Sequence, residues 1–222
     1  MNKEFFQYQY RYDYFSSRIP ALEHHVKALR ARPGVKILEV GSFEGLSAIW
    51  FLTKVLTGAG ASLTCIDPWE PYVELLDHEW DVMKHHAEAH FDYNTRLACS
   101  ESGALLKKYK GRSEAVLPLL SPETYDLIYI DGSHLAKDVL TDLVFAWRLL
   151  KTDGLMICDD YQHTRHLDPL WTPKMPIDHF LACFQHHYQL LQKNWLVILK
   201  KVDGEAYFQK SPPVQVDNSP LF

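Results

Sequence analysis

The sequence is short of several things, and each shortage closes off a class of protein. Its 222 residues include only four cysteines, Cys65, Cys99, Cys158 and Cys183, widely spaced and without a Cys-x-x-Cys pair. A chain this long does not need staples, so reduced thiols are expected. There is no surplus of positive charge: 23 Lys and Arg face 28 Asp and Glu, for a formal net charge of -5. No overall basic field exists to draw in a polyanion, so nucleic acid is not an expected partner. The run Lys107, Lys108, Lys110, Arg112 reads as a solvated face. No apolar stretch reaches membrane-spanning length, and the opening MNKEFFQYQYRYDYF lacks the basic, apolar, small-residue order of a secretion signal. A cytoplasmic protein with no membrane partner is expected. No internal repeat is found.

What remains is an ordinary globular composition, 47% apolar and 23% charged, in a length that suits one domain. Twelve histidines stand out, with adjacent pairs at His24-His25, His85-His86 and His186-His187.

Residues 1–33 read as an aromatic segment and a covering helix. The period-two run Tyr8, Tyr10, Tyr12, Tyr14 fits either a strand or an irregular lid. After Pro20, Leu22, Val26 and Leu29 recur at helical spacing until Pro33-Gly34 ends the pattern. From 34 to 202, short β-branched runs alternate with longer helical patterns. The strands are expected at 35–40, 62–67, 105–110, 125–131 and 154–160, and the helices at 45–56, within 70–104, at 113–120, 135–150 and 177–188. Runs apolar on both faces and separated by helices predict an α/β fold, a Rossmann-like open sheet, mainly parallel, with helices on both faces. YQLLQKNWLVILKK predicts a closing antiparallel hairpin with its turn at Lys193-Asn194. The tail at 203–222 has few apolar anchors and is expected to be mobile.

Open sheets of this kind bind ligands at the carboxyl ends of their strands. The first strand runs into LEVGSFEGLSA, where Gly41 and Gly45 flank a turn into a helix. The glycine that would admit a pyrophosphate is missing, and Glu39 places a carboxylate nearby. That arrangement suits a cationic ligand group, an ammonium or a sulfonium. The second strand ends at Asp67, 22 residues beyond Gly45, the usual offset for an acid that accepts from ribose hydroxyls. Trp69 follows, and an indole there can cover an adenine face.

Asp131 ends the fourth strand and Asp159-Asp160 the fifth, so adjacent parallel strands would bring three carboxylates to one rim. Carboxylates about 5 Å apart repel by roughly 3 kcal/mol per pair at an effective dielectric near 20. Such a cluster needs protonation or a divalent cation, and oxygen ligands point to Mg²⁺, or to Mn²⁺ or Ca²⁺ in its place. Read without a cation, Asp131-Gly132 is a turn and Asp159-Asp160 a cap or loop pair. His134 follows Asp131 by three residues, where it is either a helix-capping surface side chain or a base.

The ordered set LEVGSFEGLSA, CIDPW, GRSEAVLPLL, YDLIYIDGSH and LLKTDGLMICDDY resembles the class I S-adenosylmethionine-dependent methyltransferases. The likeness is to the metal-dependent O-methyltransferases related to catechol O-methyltransferase and the macrocin-type sugar O-methyltransferases, and it covers about residues 20–201. It implies S-adenosylmethionine as cofactor. Glu39, Gly41 and Ser42 would lie near its methionine part, Phe43 and Ser47 would line the turn, and Asp67 would hold the ribose. Trp69 would stack near adenine, and Ser113 and Glu114 would meet the adenine edge. The rim position Asp131 would serve both cofactor and metal, with Asp159 and Asp160 as the other metal ligands. Some relatives carry Asn where this chain has Asp160. His134 occupies the offset of a proposed general base, fitting for the side chain that titrates nearest neutrality. His163, His166 and Trp171 fall where relatives contact substrate.

The resulting expectation is divalent-metal-assisted methyl transfer to a hydroxyl of a small molecule or glycan. Two alternatives compete with it: a metal-independent methyltransferase acting on N or O, and a non-catalytic S-adenosylmethionine-binding protein. His85, His86 and His90 form a weaker zinc candidate that reads better as an exposed helical face. Gly132-Ser133-His134 lacks the second glycine of a nucleophile elbow. The N-terminal aromatics would either close over the mouth or form a homodimer contact.

Overall fold

A computed structural model describes residues 7–70, 78–163 and 168–204, the stretch 78–85 as backbone only. Seven strands form one sheet: β1 (Lys36–Val40), β2 (Ser62–Asp67), β3 (Leu105–Lys110), β4 (Tyr125–Ile130), β5 (Leu150–Cys158), β6 (Tyr188–Lys193) and β7 (Val197–Lys201). Their order is β3-β2-β1-β4-β5-β7-β6. The pairs from β3 to β5 are parallel, and β7 runs antiparallel to both β5 and β6. This is the Rossmann-like, mainly parallel sheet with a closing hairpin that the alternation predicts.

The helices are α1 (Ile19–Val26), α2 (Leu46–Trp50), α3 (His78–Ser102), α4 (Ser113–Val116), α5 (Ala136–Leu149) and α6 (Lys174–Cys183). Period-two alternation in the strands divides the core between the two sheet faces. Leu127 and Tyr129 pack with Phe15, Leu22, Val26, Trp50, Phe51 and Phe91 on one face. Ile128 and Ile130 pack with Val139, Trp147, Ile177 and Phe180 on the other. Leu22 and Val26 are fully buried, and each contributes about 1.5–3 kcal/mol by leaving water.

Several elements differ from expectation. Residues 7–14 form no strand but an irregular segment against the first core face. The helix after β1 is short and continues as a π-helical turn, Phe51–Val55. The stretch 113–120 divides into α4 and a 3₁₀ turn, Leu117–Leu119. Helix α6 begins earlier than the expected 177, because Pro176 falls in its first turn, where its missing N–H breaks no intrahelical bond. It ends at Cys183, so His186 and His187 lie beyond it. The expected tail lies outside the described residues from 205 onward. No helix among the described residues is long and apolar enough to cross a membrane.

Candidate active site

The strand ends are held in one register. Val40 is level with Ile66 on β2 and Ile130 on β4, and Ile130 is level with Cys158 on β5. The ladder continues past the strands: Gly41 N–H donates to the Ile66 carbonyl at 2.9 Å, Asp131 N–H to Val40 at 2.8 Å and Asp159 N–H to Ile130 at 3.0 Å. The winding reverses between β1 and β4, and there a cavity of about 460 Å³ opens at the carboxyl edge.

At one end of the cavity, Asp67 organises the turn after β1. Its Oδ2 accepts the backbone N–H groups of Ser42 (2.8 Å) and Phe43 (2.9 Å), and Oδ1 that of Trp69 (2.7 Å). Burial nevertheless raises its carboxyl above the ordinary value. Trp69 Nε1 donates back to the Phe43 carbonyl at 2.8 Å, and Phe91 and the Lys108 ammonium cover the indole. Phe43 and Trp69 both have φ of 45°, and Asp160 has φ of 56°. Bulky residues rarely enter that region, and such strain gathers where a surrounding structure is built to hold a ligand.

Gly41, Ser42, Phe43, Ser47, Asp67, Trp69 and Ser113 all reach the cavity wall. Glu39 and Glu114 do not. Glu39 is fully buried one layer below, where Ser42 Oγ donates to its Oε2 at 2.5 Å and the Cys65 thiol at 3.3 Å. Its Oε1 makes no hydrogen bond among the described residues. Burial pushes the carboxyl up to about 6, with the Ser42 and Ser47 hydroxyls and the Cys65 thiol opposing. Glu114 is exposed on α4, one helical step of rotation away from Ser113.

At the other end, Asp131, Asp159 and Asp160 share the wall with His134, His163 and Trp171. Burial and the neighbouring charges of Asp159 and Asp160 push Asp131 well above the usual carboxylate range. Asp159 is also raised, by burial and by Asp160. Asp160 is lowered: its own burial opposes this, but the hydrogen bond to His134 and the Arg18 charge outweigh it. Tyr129 donates its hydroxyl to Asp159, and Asp131 Oδ2 lies 3.4 Å from the same oxygen. His134 Nε2 lies 3.0 Å from Asp160 Oδ2, and the His163 ring sits 4.7 Å from that of His134. One ligand atom from each of His134, Asp160 and His163 lies within 4.8 Å of the others. His166 lies outside the described residues, as does the side chain of His85. His90 binds Glu44 through Nδ1 at 2.7 Å.

Three contributors escaped sequence reasoning. Arg18 binds Asp159 and Asp160, Trp195 donates to Asp160 Oδ1 at 3.1 Å, and Tyr129 lies beneath the acids. Only Tyr129 had a local signal, as the single aromatic two residues before Asp131 and so on the same side of β4.

A methyltransferase domain family matches residues 38–161, and the chain belongs to it. The fold and the matched motifs make it a class I S-adenosylmethionine-dependent methyltransferase. One curated relative is named an O-methyltransferase. O-methyltransferase hkm8 of Aspergillus hancockii is 25% identical over 203 residues, covering 88% of this chain and 72% of that protein. Two solved structures share the fold. TomG, an O-methyltransferase from Streptomyces achromogenes solved with S-adenosylmethionine, has a TM-score of 0.59 and 15% identity over 86% of this chain and 82% of its own. The MycE methyltransferase of mycinamycin biosynthesis, solved with Mg and S-adenosylhomocysteine, also has a TM-score of 0.59, at 13% identity over 91% of this chain. The chain spans about half of MycE, 53% of its length.

Proposed function

We propose that the protein transfers the methyl group of S-adenosylmethionine to a hydroxyl of a small molecule or sugar, assisted by a divalent cation. The observation that carries this reading is the placement of His134 against Asp160 on the cavity wall, beside Asp131 and Asp159. In the tautomer where Nε2–H donates to Asp160, Nδ1 is left as the basic nitrogen. That nitrogen takes the acceptor's hydroxyl proton. The acceptor oxygen then forms its bond to the methyl carbon as the carbon–sulfur bond breaks, and S-adenosylhomocysteine leaves with the electron pair. The methyl is already activated in the cofactor, so the protein's part is orientation and proton removal.

In this reading Asp67 holds the ribose hydroxyls with the lone pairs the turn leaves unused, Trp69 and Ser113 meet adenine, and Glu39 acts through Ser42 on the α-ammonium group. The donor set at the other end fits a divalent cation. With His134 kept as the base, Asp160 and His163 converge beside Asp131 and Asp159, which share the same wall and would complete the ligand set. A cation there would lower the pKa of a bound hydroxyl. An imidazole from His163 beside carboxylates favours Mn²⁺ over Mg²⁺ or Ca²⁺. MycE, which shares the fold, was solved with Mg.

The metal-independent alternative also has an observation in its favour, since Arg18 already supplies a cation to Asp159 and Asp160. One assay separates the readings: a screen of vicinal diols and catechols for methyl transfer, with MnCl₂ or MgCl₂ and with EDTA. Transfer abolished by EDTA and restored by metal supports the proposal; full transfer in EDTA supports the alternative.

A further inference from the structure

We propose that Arg18 is the built-in competitor of the divalent cation, so that an ion enters the carboxylate cluster only by displacing this guanidinium. The inference rests on the divalent-cation reading above.

Arg18 is no surface arginine that happens to lie near an acid. Its Nε is 2.8 Å from Asp159 Oδ1 and 3.1 Å from Oδ2, and a terminal nitrogen is 3.1 Å from Asp160 Oδ1. One planar fork thus spans both acids at the end of β5, the geometry in which arginine binds carboxylates most strongly. The pair is withdrawn from water, with side-chain exposures of 18% for Arg18 and 3% for Asp159. The guanidinium carbon also sits 4.8 Å over the Trp195 ring, whose Nε1 donates to the same Asp160 oxygen.

The backbone that delivers Arg18 is anchored. Phe15 packs against Trp50, Phe51 and Tyr129. Upstream, Gln9 N–H donates to Asn94 at 2.8 Å and Arg11 N–H to Glu44 at 2.9 Å. Tyr12, Tyr14 and Phe15 line the cavity between these anchors and the acids. The segment is therefore a strap across the mouth, with its cation at the far end. Two like charges cannot share the lone pairs of Asp159 and Asp160, so binding of a divalent ion and closure of Arg18 oppose each other.

The test is calorimetric titration of MnCl₂ into wild type and Arg18→Gln, both saturated with S-adenosylhomocysteine, after thermal melts establish that each is folded. R18Q should bind Mn²⁺ roughly tenfold or more tightly, the scale of a lost charge-assisted bidentate contact. Equal or weaker binding by R18Q overturns the proposal, as does an absence of Mn²⁺ binding in both proteins. If R18Q does not fold, Arg18→Lys, which keeps the charge but loses the fork, is judged by the same criterion with a smaller gain expected. Methyl transfer with and without EDTA is read separately, so failure of the competition and failure of the proposed function give different results.

Discussion

His134 and Asp160 meet across the cavity edge, Nε2 to Oδ2 at 3.0 Å, and the carboxylate fixes which way the imidazole faces. Asp160 itself is held by Arg18 and Trp195. A base oriented this way contributes on the order of 10²- to 10⁴-fold to rate, so His134→Ala should lower turnover by that factor. The residual rate should rise with pH as solvent removes more of the acceptor's protons. An unchanged rate across pH 6–9, measured with saturating cofactor, would take the proton-removal role away from His134.

Asp131→Ala and Asp159→Asn should abolish turnover while leaving affinity for S-adenosylhomocysteine within a few-fold of wild type, because the turn built by Asp67 does not depend on either side chain. Asn is chosen at 159 so that Tyr129 keeps an acceptor. Calorimetry and a methyl-transfer assay give the two readouts. Turnover retained by both variants in saturating EDTA would refute the division of the cavity into a cofactor end and a reacting end.

The sequence makes three strand ends legible because β2, β4 and β5 close with apolar runs that stop at an acid. Asp67, Asp131 and Asp159 need only strand register to be brought to one edge. What escapes is contact over long separation: Arg18 reaches Asp159 from 141 residues away, and Trp195 arrives from the hairpin turn. No local period encodes either. Side-chain direction in a short element escapes as well. The GRSE likeness places Glu114 beside Ser113, but a helical rotation of about 100° per residue turns it to solvent once α4 starts at Ser113. Glu39 falls below the wall rather than on it, because the turn folds Ser42 over it.

Gly41 marks the tightest approach at the switch point. A Cβ added there would sit 2.1 Å from the Asp131 backbone oxygen, and φ is +83°. The clashing atoms belong to the Asp131–Gly132 backbone rather than to a flexible side chain, so the sheet edge itself would have to move. Gly41→Ala should destabilise the fold by about 2–5 kcal/mol, the left-handed backbone and the overpacking each contributing. Urea unfolding monitored by circular dichroism would show the midpoint falling; a wild-type midpoint would contradict the close packing of β1 against β4.

Glu39 supplies a pH dependence with a definite sign. Its carboxyl is pushed up to about 6 by burial, against about 4.3 for an unfolded glutamate. The folded state therefore holds the proton more tightly, and the stability this adds is full below the unfolded value and lost as pH rises through 6. A cationic ligand reverses the preference: the proposed α-ammonium group above Ser42 favours the ionised carboxylate. Affinity for S-adenosylhomocysteine should then fall as pH drops from 7, reaching roughly a tenfold loss at pH 5, where only about a tenth of Glu39 would be ionised. Glu39→Gln keeps the shape and removes the titration, so it should bind more weakly than wild type at pH 7 and vary less between pH 5 and 7. Calorimetry of both proteins at pH 5, 6 and 7 isolates the difference from other titrating groups. Parallel profiles would mean that the buried acid supports the turn after β1 without sensing the cofactor's charge.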